Sequence, residues 1–291
     1  MGRDRWRDRG LTTTNAIKAE TFDLPCNDGL TIRGEVYGAQ PALASVIICH
    51  GFKGFAHWAF FPYLARKLAE AGLTAITFDF SGSGIGPDRE SFTEPAAFAG
   101  NTFSRELEDL DLVEDYARRK KWIDGKFGLF GHSRGGGMAI LFAAAEGSQV
   151  NSLVTWAAIS YPSRWSPEDT LTWRKRGYTE ITNSRTGQVM RLETDLLDDV
   201  ELHGRTKLNI EAAAAKIKVP WLIVHGTADD TVPSTEAEHL HTLSKRTSTL
   251  RLIEGANHAF DAKHPLTYVP PILEKVVKET VNFFVRNAAA K

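Results

Sequence analysis

The chain has 291 residues, 42% of them hydrophobic and 24% charged, with a formal net charge of -1. Such a chain can bury a core without disulfide or metal staples, and its near-zero charge excludes the bulk electrostatics that nucleic acid or an anionic membrane would exploit. No run of about 18 apolar residues marks a membrane span, and the two cysteines, Cys26 and Cys49, lack metal-ligand spacing and suit a reducing cytoplasm.

Residues 1–18 open on alternating arginine and aspartate from Arg3 to Arg9 with no apolar leader segment, and read as a solvated, loosely packed tail. Residues 19–291 read as one domain. Glu20 to Leu24 and Leu30 to Tyr37 are expected strands, joined as a hairpin by the turn chemistry of Asn27-Asp28-Gly29. Ala44 to Cys49 is an apolar, β-branched run suited to a strand buried on both faces. Helical periodicity runs from Trp58 to Ala71, and Leu73 to Phe80 is the next buried strand. The alternation continues with a helix at Thr102 to Lys120, a strand at Lys126 to Phe130, a helix at Arg134 to Glu146 and a strand at Ser152 to Ala158. Much later come a strand at Trp221 to Val224, a helix near Thr235 to Leu243, a strand at Thr249 to Ile253 and a helix from Pro271 to Arg286.

This alternation predicts an α/β fold, a mostly parallel, doubly wound sheet of about eight strands covered on both faces. Right-handed crossovers place the strand C-termini on one edge, where open sheets bind ligands. From Tyr161 to about Ile217 the rhythm fails in a stretch rich in Trp, Arg and Asp. A structureless loop of that length does not suit a compact domain, so an inserted lid of short helices is expected.

Gly131-His132-Ser133-Arg134-Gly135 falls between an expected strand and an expected helix. That context makes G-x-S-x-G a nucleophile elbow, a sharp turn that lifts the serine hydroxyl clear of the sheet. Serine needs a base to attack at neutral pH. His258, in a loop after the last expected strand, opens on the same sheet edge. The base needs an acid to hold its tautomer, and Asp229 stands just after a strand in His225-Gly226-Thr227-Ala228-Asp229. The chain order Ser, Asp, His is the one associated with this elbow. Asp230 competes with Asp229 for the acid role, and Glu168 or Asp169 stands as a variant arrangement.

On these motifs the chain resembles the α/β-hydrolase superfamily from about Thr21 to Arg286. His50-Gly51-Phe52 resembles the family's oxyanion loop, Phe78-Asp79-Phe80-Ser81-Gly82-Ser83-Gly84 the loop after its fourth strand, and Asn257-His258 its base. The resemblance implies an oxyanion hole made by the backbone N–H groups of Phe52 and Arg134. The His-Gly-Phe form with a mid-chain lid looks most like small bacterial carboxylesterases and feruloyl or cinnamoyl esterases. Expected chemistry is ester cleavage through an acyl-enzyme with no metal or organic cofactor. The partner is a small-molecule ester, and the protein is a monomer or homodimer. Thioesterase, lactonase, peptidase and a ligand receptor with negligible turnover remain the alternatives.

Trp165, Trp173 and Tyr178 of the lid either line the substrate pocket or pack the lid onto the core. His50, His132 and His225 are read as loop supports, and His57, His203, His239, His241 and His264 as surface residues. Arg174, Lys175 and Arg176 read as a solvated helix face, with attraction of an anionic substrate as the rival account.

Overall fold

The computed structural model describes residues 17–38, 42–183 and 187–288. The tail expectation therefore falls outside the described residues except at Ile17 and Lys18, and Ile17 packs against the core. The strands are β1 (Glu20–Pro25), β2 (Thr31–Tyr37), β3 (Ser45–Cys49), β4 (Thr74–Asp79), β5 (Phe127–His132), β6 (Val150–Trp156), β7 (Tyr178–Thr182), β8 (Val189–Glu193), β9 (Trp221–Gly226) and β10 (Ser248–Ile253). The helices are α1 (Phe61–Glu70), α2 (Pro95–Ala99), α3 (Phe103–Arg119), α4 (Arg134–Ala144), α5 (Pro167–Arg176), α6 (Asp195–His203), α7 (Ile210–Ala214), α8 (Ser234–Leu243) and α9 (Pro271–Ala288).

Eight strands form one sheet in the order β1-β2-β4-β3-β5-β6-β9-β10. The β1–β2 hairpin and the β2–β4 pair are antiparallel, and every later pairing is parallel. Side chains that alternate across the pleat supply both faces. In β3, Val46 and Ile48 join a core built with Leu64 and Leu68 of α1 and Val276 and Val277 of α9. Ile47 and Cys49 face the opposite core, formed with Leu110 and Val113 of α3, Met138 and Ile140 of α4 and Leu240 of α8. The buried indoles in the sheet find partners: Trp156 Nε1 donates to Thr280 Oγ1 and Trp221 Nε1 to Thr155 Oγ1, both at 3.0 Å. Cys26 and Cys49 are buried and unpaired.

The parallel strands all end on one edge, and the loops that follow β3, β5, β6, β9 and β10 gather there. No helix among the described residues is long and apolar enough to cross a membrane.

The insertion is not made of helices alone, as the sequence had suggested. Besides α5, α6 and α7 it holds an antiparallel pair, β7 and β8, in register from Tyr178↔Glu193 to Thr182↔Val189. The reason is visible in β8, where Met190 and Leu192 are buried and Val189, Arg191 and Glu193 are exposed, a period of two. Asp199 of α6 ties the insertion to the sheet layer: it accepts the Ser104 amide at 3.0 Å, and the Ser104 hydroxyl, at the start of α3.

Candidate active site

Ser133 sits between β5 and α4 with φ 55° and ψ -122°, a left-handed backbone that costs a non-glycine residue about 1–3 kcal/mol. Its surroundings hold it there. Its N–H donates to Trp156 O at 2.9 Å, and its carbonyl accepts the Gly136 and Ile159 amides at 3.0 and 3.3 Å. The flanking glycines answer to close packing: a Cβ on Gly131 would lie 2.3 Å from Gly135 O, and one on Gly135 would lie 2.2 Å from His50 O. The elbow can form only where both positions lack a side chain.

His258 follows β10, and its Nδ1 lies 2.8 Å from Asp229 Oδ2. Asp229 is buried at the end of the β9 loop. Burial would raise its carboxyl, but hydrogen bonds from His225 and His258, the charge on His258 and the Val232 amide hold it well below the usual range. An ionised carboxylate can only accept, so His258 Nδ1 donates to it, and in the neutral ring Nε2 then keeps its lone pair. Among the described residues Ser133 Oγ makes no hydrogen bond.

Sequence reasoning read His225 as a loop support, and it does more. Its Nε2 is 2.8 Å from Val232 O and 3.2 Å from Asp229 Oδ2, in a fully buried site. Asp229 thus takes two imidazoles on one oxygen, while Oδ1 accepts the Thr231 and Val232 amides at 2.9 Å. Asp230 is exposed and accepts from Thr231 Oγ1 at 3.2 Å. Glu168 and Asp169 are exposed in the first turn of α5, where Ser166 caps the Asp169 amide; they stand outside the site.

The loop after β3 lies against the elbow, close enough that a Cβ on Gly51 would come 2.9 Å from Ser133 Cβ. It is pinned from behind. His50 Nδ1 donates to Gly51 O at 2.8 Å while its Nε2 accepts the Phe80 amide at 3.2 Å, a neutral ring whose burial pushes its pKa down to about 4. Asp79 accepts the Ala56 amide at 2.6 Å, and His264 Nδ1 accepts that of Ala59 at 2.9 Å. The Phe52 and Arg134 amides find no acceptor among the described residues; that of Arg134 is at a helix start, where N–H groups lack intrahelical partners. His132 Nε2 donates to the carbonyl of His258 at 3.0 Å, and burial lowers its pKa to about 3.

These loops enclose a cavity of about 490 Å³ lined by Phe52, Ser133 and His258 together with Trp58, Phe61, Phe103 and Ile159. Of the three lid aromatics, Trp165 lines it. Trp173 does not: it is buried behind Trp165, with ring centroids 5.1 Å apart. Tyr178 is also outside, stacked between the guanidinium groups of Arg176 and Arg191. Both therefore pack the insertion. Trp58, Phe61 and Phe103 fall within the expected helices, and nothing in their sequence pattern marks them as cavity lining. Arg174 pairs with Asp198 and Glu201 and Arg176 with Glu180, leaving the exposed face of α5 away from the cavity.

His57 and His264 are half-buried and not free surface groups. The two ring nitrogens of His57 lie 3.0 Å from Glu35 and 2.7 Å from Glu90. Among the described residues no group of three His, Cys, Asp or Glu side chains is arranged to hold a metal ion.

Residues 46–269 match the model of the alpha/beta hydrolase family. An uncharacterized 31.7 kDa protein of the traX-finO intergenic region of Escherichia coli is 33% identical over 139 residues, 47% of this chain and 45% of that protein. The match thus spans about half the length of that relative. The uncharacterized protein YfhR of Escherichia coli K12 is 26% identical over 260 residues, covering 86% of this chain and 78% of YfhR. Among solved structures, Est1E from Butyrivibrio proteoclasticus with ferulic acid bound has a TM-score of 0.71 at 22% identity, covering 93% of this chain and 100% of Est1E. A monoacylglycerol lipase from Paleococcus ferrophilus has a TM-score of 0.67 at 18% identity, covering 88% and 99%. At such identities these structures share the fold.

Proposed function

The chain belongs to the alpha/beta hydrolase family, and on that premise we propose that it is a hydrolase that cleaves carboxylic esters through an acyl-enzyme on Ser133. One observation carries this reading: a serine forced to φ 55° at a strand-to-helix turn shares a cavity with a histidine whose Nδ1 is bonded to a buried carboxylate. His258 Nε2 takes the Ser133 proton as Oγ attacks the ester carbonyl. Asp229 fixes the tautomer and offsets the charge on the imidazolium. The amides of Phe52 and Arg134 receive the oxyanion, each donor contributing about 3–4 kcal/mol to the transition state. His258 then protonates the leaving alcohol, and water repeats the sequence to free the acid.

The test is initial rates of wild type and Ser133→Ala on p-nitrophenyl esters of increasing acyl length and on methyl ferulate, beside labelling with a fluorophosphonate. Multiple turnovers that vanish in the variant, with label found on Ser133, are the expected outcome. Equal slow rates in both proteins and no label would sink it. The aromatic lining favours small acyl or aryl groups, the class that Est1E's ferulic acid represents for that protein.

A further inference from the structure

The charge of the cavity is one-sided. Lys53, Arg134 and Arg164 line it, and no lining residue is Asp or Glu. Two of these cations are answered from behind the wall. Arg134 Nε donates to Glu106 at 3.0 Å with both side chains buried, and its guanidinium lies 3.9 Å from the Phe103 ring centroid. Arg164 Nη1 donates to Glu236 at 2.8 Å. Lys53 differs. It is exposed, and no carboxylate of the described residues lies within ion-pair reach of it. Its backbone has φ 58°, a conformation that few non-glycine residues take and that places it directly after Phe52 in the loop over the elbow.

An unanswered ammonium at the mouth of an aromatic-walled cleft raises the local concentration of anions, because low-dielectric walls focus its field. A substrate carboxylate arriving there gains a charge-assisted hydrogen bond without displacing a protein carboxylate. We propose that the substrates are esters that also carry a free carboxylate, hemiesters of dicarboxylic acids, with the charged end held by Lys53 and the ester carbonyl presented to Ser133. Arg164, already paired, adds to the field of the cavity lining. This rests on the serine-esterase reading above and narrows it to an anionic substrate class.

The test compares the p-nitrophenyl hemiester of glutaric acid with its neutral methyl-capped diester in wild type, Lys53→Asn and Ser133→Ala. Asparagine removes the charge while tolerating the left-handed backbone. The readout is the ratio of kcat/KM for hemiester over diester, which cancels any general loss of activity. About fivefold preference in wild type, falling to near one in Lys53→Asn, is expected for a partly exposed ion pair. A wild-type ratio at or below one, or a preference unchanged in Lys53→Asn, overturns the proposal. Should neither ester turn over faster than with Ser133→Ala, the esterase reading fails separately. Charge preference is then read by calorimetry with monomethyl and dimethyl glutarate. Tighter binding of the acid that is lost in Lys53→Asn supports the anion site, and equal binding of the two rejects it.

Discussion

Asp229 and Asp230 are chemically identical and one residue apart, and their surroundings divide their roles. Asp229 is buried with both oxygens committed to N–H donors, whereas Asp230 faces solvent. A neutral amide at 229 still fits but no longer fixes the His258 tautomer or balances its charge. Asp229→Asn is therefore expected to lose about 10³–10⁴-fold in kcat, while Asp230→Asn stays within about twofold, by the ordinary tolerance of surface positions. Steady-state rates of the two variants on one ester settle the assignment; the reverse pattern would move the acid to Asp230. His225 belongs to the same balance, since its Nε2 shares Asp229 Oδ2 with His258. Its place in the strand-end motif was legible in the sequence, but a second imidazole on the acid was not, because β9 register decides which way that ring points.

The loop after β6 lines the cavity through Ile159, Pro162 and Arg164, and a side chain from the first turn of α8 makes three hydrogen bonds to it. Glu236, buried, accepts the Ser160 amide at 2.7 Å, the Ser160 hydroxyl at 3.1 Å and Arg164 at 2.8 Å. Removing it strands a buried amide and a partly buried guanidinium. Glu236→Ala should cost about 2–3 kcal/mol of stability and raise KM more than it lowers kcat; Glu236→Gln, which keeps an acceptor, should recover part of both. Urea unfolding with steady-state kinetics checks this, and an Ala variant as stable as wild type would contradict it. At this scale the sequence was informative wherever burial was complete. Strands such as β3, with all five residues buried, announce themselves as apolar runs. The β7–β8 pair did not, because Tyr178-Thr179-Glu180-Ile181-Thr182 has no fully buried residue and takes its form from a partner strand. Helix α2, five residues from Pro95, is too short for periodicity to show. The strand-to-helix elbow at Ser133 was readable because sterics restrict its residues, whereas the cavity walls were not, since they are assembled from separate loops by the fold.

Over the whole molecule, stability should carry the signature of one imidazole that is held charged. His57 lies between Glu35 of β2 and Glu90 of the loop before α2, with Asp79 at the end of β4 close enough to feel its field and Arg89 near enough to act on Glu35 and Asp79. The hydrogen bond to Glu35 above all, then the charges of Glu35 and Glu90, raise its pKa to about 9 against the burial that opposes them. A group whose pKa is raised on folding adds stability that is complete below its unfolded value, near 6.5, and is lost as pH rises through the folded value. Asp79, pushed up to about 7 by burial, has the same sign, and its share is half-titrated at pH 7 and lost by about pH 8. Between pH 7 and about 9.5 the remainder of Asp79 and the buried thiols Cys26 and Cys49, raised by burial, also contribute with this sign, so the difference in slope between wild type and His57→Gln isolates His57. His57 should account for on the order of 1 kcal/mol of the loss across this interval, less than the full shift because the ring is partly exposed. His57→Gln should be less stable at pH 7, where two carboxylates lose their cation, and should show a flatter slope toward pH 9.5. Urea midpoints of both proteins at the two pH values measure this. Equal slopes would mean that His57 is not the group whose proton stabilises the fold, and that the Glu35–Glu90 bridge is a neutral hydrogen-bonded contact.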